Sequence, residues 1–149
     1  MLSAKSITDE INRLMVIAFP TAQAHINACP EGFERPAYRI RCAKFVRTDA
    51  NRSTVAVSAA FEIAYCPEVD DHQIADGDAL SAAQDSMIDI FSSGYIKVED
   101  RHLQIKSTPG TLTAGEAFVD IQMDYYDDRP SAPDVTPKMG SVTTNTKLE

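Results

Sequence analysis

The chain has 149 residues, 44% of them hydrophobic and 24% charged, which suits one compact domain and is short for two. Fourteen Lys and Arg against twenty-two Asp and Glu leave a net charge of −8, which excludes a protein held on duplex DNA chiefly by neutralising phosphates. No apolar run approaches the roughly 18–20 residues that cross a bilayer, and MLSAKSITDEINRL lacks the core of an export signal, so a soluble chain with no membrane partner is expected.

The first element is predicted in SITDEINRLMVIAF, where Ile7, Ile11, Leu14, Met15 and Ala18 recur at helical spacing. Ser6 is placed to cap it, Asp9 and Glu10 suit the first turn, and Pro20 ends it after Phe19. The face bearing Thr8, Asp9, Asn12 and Arg13 is expected to be wet. A weakly alternating stretch, TAQAHINAC, reads as a strand, and PEGFERP, with two prolines and a glycine, as a loop.

From Ala37 the period changes to two, with Tyr38, Ile40 and Cys42 alternating against Arg39 and Arg41. Phe45 falls out of phase with Ile40, which points to a bulge near Ala43. The turn formers TDANRS, 48–53, lead to the most regular strand of the chain. There Val55, Val57, Ala59, Phe61, Ile63 and Tyr65 share one face, and Thr54, Ala56, Ser58, Ala60, Glu62 and Ala64 share the other. The second face is small rather than charged, so a helix or another subunit is expected to pack against it.

Cys66-Pro67 ends that strand, and the acidic PEVDDHQIADGD follows. Ile74, Leu80, Ala83, Met87, Ile88 and Phe91 then predict a second helix, starting near His72 or near Asp78 and stopping at Ser92-Ser93-Gly94. YIKVED, RHLQIKSTPGTLT and GEAFVDIQMDYY read as strands, with Glu99–His102 a hairpin turn between two of them. The domain is expected to close at residue 128, leaving 129–149 as a proline-rich tail that is flexible or docks on a neighbour. Within it, Lys147–Glu149 reads as a candidate cloning remnant. The predicted class is α+β: an antiparallel, possibly mixed, sheet with two helices packed on one face as a two-layer sandwich.

The search for chemistry yields no catalytic, cofactor-binding or metal residues. Three cysteines, Cys29, Cys42 and Cys66, are widely spaced with no C-x-x-C and are read as reduced, intracellular and partly buried. The acidic cluster around Asp70, Asp71 and His72 has the ligand types of a small metal-dependent enzyme, the reading set against a structural one. Its spacing does not fit an EF-hand: with Gly77 sixth, His72, Ile74, Asp76 and Ala83 fall at positions one, three, five and twelve, and only Asp76 suits. Acids solvated around a helix N-terminus explain the cluster better. No G-x-S-x-G or comparable nucleophile context occurs.

Charge is more informative. Between Arg35 and Arg52 the chain carries a net +5, and between Glu62 and Asp100 a net −9. This polarity suggests that a basic hairpin on one subunit meets the acidic helix region of the next, a heterologous contact that closes into a ring when the rotation permits. Candidate interface residues are Arg39, Arg41, Lys44, Arg47, Arg52, Asp70, Asp71, Asp76 and Asp78.

The layout resembles the phage tail terminator family. The resemblance rests on the helix ending Phe19-Pro20, the loop with Gly32 and Phe33 leading to Pro36-Ala37-Tyr38-Arg39-Ile40, and the strand ending Phe61-Glu62-Ile63-Ala64-Tyr65-Cys66-Pro67. It continues through the acidic helix, Gly94, Asp124-Tyr125-Tyr126, and a tail with Pro137 and Met139, covering roughly residues 6–140. The resemblance implies a non-enzymatic virion protein with no cofactor, present in the host cytoplasm during assembly. It would form a homo-oligomeric ring, expected as a hexamer, at the head-proximal end of the tail tube. Its partners would be the tail tube protein, in contractile tails the sheath protein, and the head–tail connector or neck protein. DNA would pass through the lumen without being read. Another head–tail joining or tail-completion protein, or a soluble host binding module, would share much of this pattern. If charge pairing holds the ring, Arg39→Glu with Arg41→Glu is expected to weaken it, read as a fall in oligomer mass by light scattering.

Overall fold

The computed structural model describes residues 2–28, 30–72, 74–107, 110–113 and 115–129. Cys29 and the segment 130–149, with the expectations placed on them, lie outside the described residues. The helix α1 spans Ala4–Ala18 and α2 spans Gly77–Ile90. The strands are β1 Gln23–Ile26, β2 Ala37–Asp49, β3 Thr54–Cys66, β4 Tyr95–Val98, β5 Arg101–Ser107, β6 Gly110–Leu112 and β7 Ala117–Asp128. The sheet order is β1-β2-β3-β7-β5-β4, with β6 also pairing to β7. All pairings are antiparallel except β1 with β2, which is parallel. The predicted α+β class holds, and the sheet is mixed.

The central strand β3 is bonded along its full length to β2 on one side and β7 on the other. Its Val55, Val57, Ala59, Phe61 and Ile63 are buried, as the alternation predicted. Ala59, Phe61 and Ile63 of this row meet Ile7, Ile11 and Met15 of α1, and Leu80 and Met87 of α2, in one apolar cluster. Burying such a stripe against a half-apolar sheet is what makes both short helices stable, because helices of this length are marginal alone. The bulge predicted at Ala43 is present: the register of β2 on β3 shifts between Cys42 and Lys44. It rotates Phe45 into phase with Ala59 and away from solvent.

Several local expectations are corrected. The helix α1 begins before Ser6, and its cap is Ser3, whose hydroxyl oxygen accepts the Ser6 backbone N–H at 3.1 Å. Asp9 and Glu10 therefore lie beyond the first turn and form ion pairs with Lys5 and Arg13 instead. Thr8 is buried rather than wet and donates to the Ala4 carbonyl at 2.8 Å. Asn12 is half-buried because it accepts the Tyr38 hydroxyl at 2.7 Å, which joins α1 to β2. Ala18 is exposed, and so is Ile74, which precedes α2 instead of belonging to it. The helix α2 is capped by Asp76, whose side chain accepts the Asp78 N–H at 3.2 Å, so the later of the two predicted starts is the right one.

Tyr38 is fully buried, and among the described residues its hydroxyl has a single partner. Tyr38→Phe is therefore expected to leave Asn12 half-satisfied and cost about 1 kcal/mol, read from the midpoint of urea unfolding.

Candidate assembly surface

The two faces of the sheet differ. Both helices cover the face described above. The other presents rows of directly paired residues across β2, β3 and β7: Arg41, Glu62 and Asp120; Lys44, Ala60 and Gln122; Val46, Ser58 and Asp124; Thr48, Ala56 and Tyr126. The middle residue of each row below the first is small, so the strand floor is low between two walls. One hollow of about 350 Å³ lies over Ala56 and Ser58, between Val46, Thr48, Asp124 and Tyr126. A second, of about 310 Å³, lies beside Ala60 and is lined by Ala43, Glu62, Asp120 and Gln122. Val46 and Tyr126 stand on this face 43% and 65% exposed.

Charge on this face is organised within the subunit. Arg39 and Arg41 both donate to the Glu62 carboxylate, each at 3.3 Å. Partial desolvation, together with the neighbouring Glu62 carboxylate, raises the Asp120 carboxyl above its ordinary range, and Arg41 partly offsets this. Asp124 is lowered, first by its bond from Lys106 at 2.8 Å and then by Ser58. Of the predicted basic residues, Arg47 reaches the Leu2 carbonyl at 3.5 Å and lies over the Phe45 ring. Lys44 and Arg52 form no ion pair among the described residues.

The predicted acidic residues are also placed by local needs. One Asp70 oxygen accepts the backbone N–H groups of His72 and Ile74 at 2.8 and 2.9 Å, closing a turn beneath the Val69–Ala75 bridge. Asp76 is the helix cap. Asp71 and Asp78 are exposed, and Asp78 sits in the first turn of α2, where the dipole favours an acid. Among the described residues, no group of three or more His, Cys, Asp or Glu is placed to hold a metal ion.

The sequence reading passed over a polar cluster at the end of β7. Asp127 is 4% exposed. Its carboxylate accepts from the Leu2 N–H and an Arg101 guanidinium nitrogen, both at 2.7 Å, and from the Asp128 N–H at 2.8 Å. Arg101 also donates to the Tyr126 carbonyl and lies over the Tyr125 ring. One carboxylate thus ties the N-terminus to β5 and β7. A signal was present: Asp127 continues the phase of Val119, Ile121, Met123 and Tyr125, an acid where the pattern calls for an apolar residue.

Burial alone would raise the Asp127 carboxyl, but its two backbone bonds and the Arg101 charge outweigh that and hold it below the usual range. A depressed folded-state value gives stability that is present above the unfolded-state value, near 4, and is lost as pH falls through the folded-state one. Unfolding midpoints measured from pH 7 to pH 3 should therefore fall, and Asp127→Asn should flatten that dependence. Asp127→Ala, which strands Arg101 and the Leu2 N–H, should cost on the order of 3 kcal/mol at pH 7.

A family model described as phage tail terminator protein matches residues 6–134. No curated protein matches the chain. Among solved structures, 24 chains match. One of them is 12% identical at a TM-score of 0.50, over 89% of this chain and 100% of its own, a likeness that shows the fold alone.

Proposed function

The chain belongs to the phage tail terminator family, with the structural role in the phage tail that this carries, and on that premise we propose that it assembles as a ring capping the head-proximal end of the tail tube. There it stops tube polymerisation and presents the surface that receives the head connector. Six copies are the expected number, and DNA passes through the lumen without being read.

The observation that carries this reading is the family match, which spans nearly all the described residues. The sheet supports it, since one face is spent on the core while the other displays a walled hollow and exposed Val46 and Tyr126. A capping subunit needs two different surfaces, one for its neighbours in the ring and one for the tube, and a ring supplies both by symmetry.

Charge pairing between copies is most directly carried by Lys44 and Arg52 on the basic side and by Asp71 and Asp78 on the acidic side. Arg39 and Arg41 are already engaged with Glu62. Reversing them sets two further acids beside Glu62 and Asp120 and strains the subunit itself. Lys44→Glu with Arg52→Glu is the cleaner variant, expected to lower oligomer mass at unchanged melting temperature.

Mass photometry with negative-stain electron microscopy of the purified chain tests the assembly. Annular particles of about six copies are expected, and a protein that stays monomeric at micromolar and higher concentration overturns the ring.

A further inference from the structure

Among the described residues the sheet has two open edges with matching geometry. The strand β1 pairs only with Ala37–Ile40 of β2. Among the described residues no strand pairs with the outer edge of β2 from Arg41 to Asp49. At the other end of the order, β4 is bonded to β5 alone among the described residues. Open edges carry unpaired backbone donors and acceptors and are templates for another strand.

Which backbone groups point outward follows from the ladders. The Thr54 carbonyl accepts from Ala50, so even-numbered β3 residues face β2. Their partners Lys44, Val46 and Thr48 turn their backbone inward, leaving the N–H and C=O of Phe45, Arg47 and Asp49 on the open edge. On β4, Ile105 donates to the Gly94 carbonyl at 2.8 Å, so even-numbered residues face β5 and Tyr95 and Lys97 point outward. Following the antiparallel steps from β2 through β3, β7 and β5 to β4, strands β2 and β4 run in the same direction.

These facts select one mode of joining. The outward residues of β2, Phe45 and Arg47, have side chains on the core side, in phase with Ala59 and Val57. Those of β4, Tyr95 and Lys97, alternate with buried Ile96 and Val98 and so have side chains on the opposite face. In an antiparallel pair, residues that exchange hydrogen bonds share a face; in a parallel pair, a residue bonds to the two neighbours of the one across from it, which lie on the other face. With the core faces of two copies aligned, β4 fits β2 only in parallel. Strands that run the same way in each copy meet in parallel when copies are related by rotation, head to tail.

We propose that β4 of one copy adds in parallel to the open edge of β2 on the next, with Tyr95 across from Val46. The inference rests on the reading that copies of this chain assemble, and it names the edges that meet. Val46 and Tyr95 are 43% and 49% exposed, and the register makes them an aromatic and β-branched pair on one face. The same register brings the turn at Glu99 and Asp100 beside Arg52, which forms no ion pair among the described residues and lies at the tip of the β2–β3 hairpin. Joined in this way, the sheets of successive copies become continuous, and the interface is heterologous and able to close.

Cross-linking of the full chain with a short thiol-specific reagent tests it, using wild type as the control for the native cysteines. The double variant Val46→Cys with Tyr95→Cys is expected to give a ladder of covalent multimers, while either single variant gives no more than wild type. Arg47→Pro, which removes one outward N–H and leaves the ladder to β3 in place, is expected to abolish the multimer peak. An assembled wild type whose double variant gives no ladder overturns the edge pairing and leaves the assembly standing. Covalent dimers from Val46→Cys alone also overturn it, because they mark a two-fold pairing of β2 with β2. A wild type that is monomeric throughout overturns both.

Discussion

The fold depends on one strand having to satisfy both of its edges and one of its faces. β3 spends its backbone on β2 and β7 over its whole length, so it has no freedom of register. A slip by one residue would turn Val55, Val57, Ala59, Phe61 and Ile63 to solvent and bring Glu62 inward. Both helices take their position from that buried row. The bulge in β2 follows as well, since without it Phe45 would face outward from the hairpin and Lys44 inward.

The same strand produces the surface on which a role in assembly can rest. A central strand is free to carry large residues on both faces, and this one does not. Ala56, Ser58 and Ala60 keep the outer face low, while Lys44, Val46 and Thr48 on one side and Gln122, Asp124 and Tyr126 on the other stand above it. The walls come from strands far apart in sequence. Charges are also spent within the subunit before any neighbour arrives: Glu62 holds two arginines, Asp70 closes a turn and Asp76 caps α2. A net +5 beside a net −9 in the linear sequence therefore overstates the charge left for a partner. Of the predicted interface residues, Lys44, Arg52, Asp71 and Asp78 form no ion pair among the described residues.

The Asp127 cluster ties one end of the sheet together. Here β5 leaves its turn, β7 ends and the chain enters α1, and a buried carboxylate with three donors holds them together. Such a group is costly to bury and costlier to strand. Its dependence on Leu2 and Arg101 makes the first residues of the chain structural. Arg129 continues this end, donating to Asp49 at 2.8 Å and to the Asn51 carbonyl at 3.0 Å, so β7 ends beside the β2–β3 hairpin tip.

Local periodicity made much of this legible. Two helices, the β2–β3 hairpin with its bulge, the later strands and the buried row of β3 can all be read from spacing, because a helix stripe and a strand alternation are properties of neighbouring residues. The family could be read too, from an ordered layout. The cap at Ser3, the burial of Thr8 and the partnership of Asn12 with Tyr38 could not, since each depends on what packs across from it. The parallel β1, the pairing of β7 between β3 and β5, and the Asp127 clamp join residues up to 125 apart, and no local pattern specifies such a partner. The sequence by itself determined which residues alternate and which repeat at helical spacing. Only the tertiary structure decided which strand edges are spent and which stay open, because edge pairing is a contest among distant segments for the same backbone hydrogen bonds.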